Sequence, residues 1–137
     1  MADLDRFIGI NVTDALNELR LGRKKSHWIW YIFPQLKDLG ISPVSRYYGI
    51  KDENEAREYW HNTLLSQRLI TCCELLLRHD NDINEIMGSK IDAQKLQSSM
   101  TLFYKVSGNK IFERVINKFF DGELDSKTIK LLKEKSL

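Results

Sequence analysis

Apolar positions recur along the chain at the three-to-four spacing of a helix face and almost nowhere with the alternation of a half-buried strand. Leu4, Phe7, Ile8, Ala15, Leu16 and Leu19 share one side of a helix or broken helix over about residues 3 to 21. Asn11 and Thr13 are the possible break and Gly22 is the C-terminal stop. Ser26 reads as the cap of a second helix running through Phe33, because Pro34 disfavours helical backbone in the residue before it. Residues 36–42 read as a loop and Pro43 as a first helical position. Asp52 and Glu55 form a capping box ahead of Ala56 to Trp60. The clearest helix covers 64–78, where Leu65, Leu69, Cys72 and Leu76 make an apolar face with Arg68 and Glu74 outside it. A second capping box, Asp82 and Glu85, opens a short turn closed by Gly88. Helices follow at about 92–106, 109–120 and 126–135, punctuated by Gly108 and Gly122. About seven helices with no internal repeat, low-complexity stretch or linker predict an all-α fold. The expected architecture is a compact orthogonal helical bundle, one domain over residues 1–137.

Composition supports a packed interior. The 137 residues are 42% hydrophobic and include only two prolines, and a chain of this length buries roughly two thirds of its unfolded surface. The net charge of +2 hides alternating blocks, of which residues 20–51, with seven bases and one acid, are the most one-sided. No apolar run reaches membrane-spanning length, and the first residues carry acids where a signal peptide carries bases, so a cytoplasmic protein without membrane contact is expected. Cys72 and Cys73 are chain neighbours that point apart and cannot bridge, which suits a reducing compartment and core packing.

The basic block contains the most unusual segment, Gly22-Arg-Lys-Lys-Ser-His-Trp-Ile-Trp-Tyr-Ile-Phe-Pro-Gln35. Four bases within six residues, Arg20, Arg23, Lys24 and Lys25, precede Trp28, Trp30, Tyr31 and Phe33. Cations beside aromatic faces can hold an anion while stacking a planar group. They can equally stabilise a helix C-terminus while the aromatics fill the core. His27 is the one histidine in such company and could serve as general acid, general base or anion donor. On the segment 95–105, Lys95 and Ser99 fall inside the apolar arc of Leu96, Met100, Leu102 and Phe103. Either they are satisfied locally, or they line a cavity against the His27 helix. The three histidines and two cysteines show no metal-ligand spacing, and there is no phosphate loop, nucleophile elbow or dinucleotide fingerprint, so neither metal nor cofactor is expected. The C-terminal lysines read as a solvated helix face, and a duplex nucleic acid would want a more continuous basic stripe.

The runs GRKKSHWIWYIFPQL, SPVSRYYGI, EAREYW, KLQSSMTLF and FFDGELDSKTIKLL, in that order over nearly the whole chain, resemble the uncharacterised domain of unknown function 1810 family. Members of that family are often labelled calpastatin. Calpastatin-like inhibitors are disordered and Pro-rich, and this apolar, capped sequence is not. The resemblance implies a compact helical fold and a shared signature of Arg23, Lys24, His27, Trp28, Trp30, Phe33, Pro34, Gln35, Arg46, Tyr48, Lys95, Ser98, Ser99, Met100 and Thr101, with no established reaction.

Together these readings predict a pocket for an anionic small molecule, a nucleotide or phosphate-bearing metabolite. Arg23, Lys24, Gln35, Arg46, Lys95, Ser98 and Thr101 would be its polar contacts, and Trp28 or Trp30 its stacking face. His27 and Ser99 would donate hydrogen bonds or move a proton in a transfer or hydrolysis. The alternatives are a module that binds a protein partner through its surface and, less favoured, a single-stranded RNA binder.

Overall fold

The computed structural model describes residues 3–135, and among these the chain forms ten α-helices and one 3₁₀ turn. The all-α expectation holds, with more helices than the expected seven because several breaks are too local to alter the periodicity. The first predicted helix is two, α1 (Asp5–Ile8) and α2 (Thr13–Leu21). Asn11 Oδ1 accepts from the Thr13 amide at 2.9 Å and restarts the helix. The Ser26 helix shrinks to α3 (Ile29–Ile32), and no side chain caps it. Ser26 is taken instead by Glu18, as described below. The loop before Pro43 contains the 3₁₀ turn Lys37–Leu39, and α4 spans Pro43–Tyr48 with Ser42 as its cap.

The other signals work largely as read. Asp52 Oδ1 accepts from Glu55 N at 2.9 Å to start α5 (Glu53–His61), and Asn62 caps α6 (Thr63–Leu77). The second capping-box acid, Asp82, starts α7 (Ile83–Ile86). Ser89 starts α8 (Lys90–Ser107) a little earlier than expected. Then α9 (Lys110–Phe120) and α10 (Ser126–Lys135) complete the order.

Helix α8 runs through the middle, touching α3, α5, α7, α9 and α10. Its Leu96, Met100, Leu102 and Phe103 are wholly buried. A chain of aromatic contacts crosses the core from Phe7 to Tyr59 (5.1 Å between rings), Tyr59 to Phe103 (5.2 Å) and Phe103 to Phe112 (6.0 Å). Cys72 and Cys73 are buried free thiols, and burial pushes Cys72 up to about 12, which makes it an inert core group.

The single β feature among the described residues is a bridge between Leu36 and Ile50. Lys37 N donates to Ile50 O and Ile50 N to Gln35 O, both at 2.8 Å. A side chain at Gly49 would come within 2.4 Å of Lys37 Cα, so the two segments meet this closely because residue 49 has none. The bridge pins the chain after Pro34 against the core and buries Gln35. No helix among the described residues is long and apolar enough to cross a membrane.

Candidate functional site

The basic segment that links α2 to α3 has neither helix nor strand to hold it, and acids hold it instead. Glu18, one turn before the end of α2, accepts four hydrogen bonds from it. These come from Lys25 N (2.6 Å), Ser26 N (2.8 Å), Ser26 Oγ (2.5 Å) and Trp28 Nε1 (3.0 Å). Burial alone would raise the Glu18 carboxyl, but the donors from Ser26, Lys25 and Trp28 outweigh it and bring it from its ordinary 4.5 down to about 2. On the opposite side, Lys24 Nζ donates to Ser26 O at 2.6 Å and pairs with Asp92 Oδ2 of α8 at 2.8 Å. Lys24 N also donates to Ile86 O at 2.7 Å. Residue 27 is thereby held between two anchored neighbours.

This clamp shapes a cleft of about 360 Å³ between α3, α4 and the first turns of α8. Its walls include Lys24, His27, Trp28, Trp30, Tyr31, Tyr48, Asp92 and Lys95. Five of the sequence-predicted residues, Lys24, His27, Trp28, Trp30 and Lys95, therefore meet at one opening. Their roles differ from expectation. Lys24 is 9% exposed and its ammonium is committed to Asp92 and a carbonyl, so it is a strut rather than a free anion contact. Lys95 Nζ lies 3.4 Å from Asp92 Oδ1 and 5.9 Å from the centre of the Trp30 ring, and its side chain is partly exposed. The group of two lysines and Asp92 carries one surplus positive charge, and Lys95 is the member that can present it. His27 is exposed at the rim.

Trp28 and Trp30 are 2% and 6% exposed, which leaves them edges of the wall and no open stacking face. The accessible aromatics are Tyr31 and Tyr48, half-buried, with ring centres 5.0 Å apart. The Tyr31 hydroxyl donates to His27 O at 3.2 Å, and burial, with Tyr48 and the acids Asp14 and Glu18 nearby, raises its phenol above the ordinary value.

The remaining predicted residues lie elsewhere. Gln35 and Ser98 line an adjoining recess that shares Lys95. Arg23 faces a larger open groove of about 1110 Å³, with Lys25, Asn81, Asn84 and Glu85, which has no aromatic wall. Arg46 is exposed on α4 and lines neither cleft nor recess. Ser99 and Thr101 are wholly buried. The Thr101 hydroxyl donates to Gln97 O at 2.8 Å and accepts from Asp125 N at 2.8 Å, whereas Ser99 Oγ has no partner. Ser99, expected to donate hydrogen bonds or move a proton at the pocket, is therefore placed inside the core and not on the wall of the cleft.

Glu18, Asp92, Tyr31 and Tyr48 complete the site without having been assigned to it from sequence. Glu18 and Asp92 fall within the predicted helices with no local pattern to single them out, and only their distant partners reveal them. Among the described residues no group of three His, Cys, Asp or Glu side chains is placed to hold a metal ion.

The profile of a family described as "Protein of unknown function (DUF1810)" matches residues 1–132. A similar solved structure is that of the conserved hypothetical protein Rv1873 from Mycobacterium tuberculosis. It is 40% identical over 96% of each chain, with a TM-score of 0.90. No curated protein matches the chain.

Proposed function

Because the chain belongs to the DUF1810 family, described only as of unknown function, its activity has to be read from its own side chains. We propose that the cleft between α3, α4 and α8 binds a small phosphate-bearing molecule with a planar group, such as a nucleotide. The observation that carries this reading is the convergence of His27, Lys95 and the Tyr31–Tyr48 pair at one concave opening. Sites for small ligands are typically concave, largely apolar and furnished with a few placed polar groups. In the proposal Lys95 offers the surplus charge to the anion, and His27 at the rim adds a second donor and is the group able to move a proton there. Tyr31 and Tyr48 receive the planar group. Glu18 and Lys24 act indirectly, by fixing the backbone on either side of His27.

A thermal-shift screen with nucleoside mono- and diphosphates tests this. At about a hundred-fold excess over Kd a ligand adds about 2.7 kcal/mol to stability, visible as a shift of several degrees. The shift is expected to vanish in Lys95→Ala and to shrink in His27→Ala. Failure of every phosphate compound to shift the transition would refute the reading. A surface role for a protein partner is the second reading, favoured by the exposed Ile41, Val44 and Tyr47 beside the cleft. A stoichiometric partner bound undiminished by folded His27→Ala, without any nucleotide effect, is the outcome that selects it.

A further inference from the structure

The recess next to the cleft holds about 310 Å³ and shares Lys95 with it. We propose that this recess is a second subsite, for the hydroxyl-bearing ring of a sugar phosphate whose phosphate sits on Lys95. The inference rests on Lys95 being the anion contact of the proposed function.

Three features carry it. Gln35 is 2% exposed yet lines the recess, and its Nε2 donates to nothing in the protein. Its backbone is fixed by the bridge to Ile50, and its side chain forms part of the recess wall. Buried amides are ordinarily paired, and an unpaired one in a residue that forms the wall of a recess is a donor that a bound hydroxyl can satisfy. The second feature is Asp125. Its Oδ2 accepts from Ser98 Oγ (3.1 Å), Thr128 N (3.0 Å) and Thr128 Oγ1 (2.6 Å). That orients the carboxylate and leaves Oδ1 to accept from outside. Third, Leu39 and Ile91 give the recess apolar walls. A sugar ring needs this combination: each hydroxyl both donates and accepts, so an amide and a carboxylate satisfy it together, while the carbon face lies on apolar side chains. Across cleft and recess, a ligand would present a planar group, an anion and a hydroxylated ring in that order.

The test is nitrogen–proton correlation spectroscopy, which resolves glutamine side-chain amides, with ribose 5-phosphate and inorganic phosphate as separate titrants. Ribose 5-phosphate is expected to shift the Gln35 and Gln94 side-chain signals and to bind at least ten-fold more tightly than inorganic phosphate. Gln94 lines the recess and is exposed, so Gln94→Ala retains the fold. It is expected to weaken ribose 5-phosphate several-fold and to leave inorganic phosphate unchanged. Silence of Gln35 and Gln94 while His27, Tyr31 and Lys95 respond overturns the recess and leaves the cleft standing. Silence of all five groups removes both.

Discussion

Glu18 and Lys24 carry opposite charges, and each is occupied in holding the segment between α2 and α3. For Glu18 the consequence is a pH signature. With its folded value at about 2 against an ordinary 4.5, the unfolded chain binds a proton in that window that the folded chain does not. Its stabilisation is therefore complete above about pH 5 and lost as pH falls toward 2. Glu18→Gln should cost roughly 2 kcal/mol at pH 7, a charge-assisted network discounted for its partial exposure. It should also flatten the acid limb of a urea-denaturation series; an unchanged limb would contradict the clamp. The two lysines of the cleft should separate cleanly. Lys24→Ala removes one side of a largely buried pair while Asp92 keeps Lys95, so a loss of about 2–3 kcal/mol is expected in urea denaturation, below the full penalty for an orphaned buried charge. Lys95→Ala should change stability by only about 0.5 kcal/mol, as exposed pairs do, and should act on ligand binding. A variant pair with the effects reversed would mean that the roles have been assigned the wrong way round.

At the level of elements, the site depends on how short helices are attached to the long α8. Gly22 ends α2 at φ +79°, and a side chain there would lie 2.8 Å from the His79 ring. His79 Nε2 lies 2.7 Å from Leu19 O, so the end of α2 is packed as well as turned. Gly22→Ala should cost about 2 kcal/mol or more, from left-handed strain together with the clash, read as a lowered denaturation midpoint. At the other end Asp125 joins α8 to α10 through Ser98, Thr101 and Thr128. Asp125→Ala should remove about 1–2 kcal/mol, as loss of a helix cap does. Amide exchange should accelerate within Ser126–Lys135 well before α6 responds; uniform acceleration would show that α10 is not a separately attached unit.

Over the whole molecule, the elements with their own local signals were legible in the sequence. Asp52, Gly22 and Gly108 stop or start helices where their chemistry predicts, and the apolar arc of α8 is buried as the 100° spacing requires. Of the four-residue helices, α7 was marked only by its capping acid Asp82, and α1 and α3 were read as parts of longer helices, since four residues are too few to display a period. The site was half legible. The segment around His27 stood out by composition, and it does form a cleft wall. That Lys24 is spent on Asp92, or that Ser99 is sealed inside, depends on contacts between distant stretches of chain that no local pattern encodes. Backbone shift changes on titration with a nucleoside monophosphate decide between the cleft and the open groove. Changes centred on His27, Tyr31, Tyr48 and Lys95, and abolished by Lys95→Ala, are expected. Changes centred on Arg23, Lys25 and Asn84 in the open groove, or none at all, would contradict binding in the cleft.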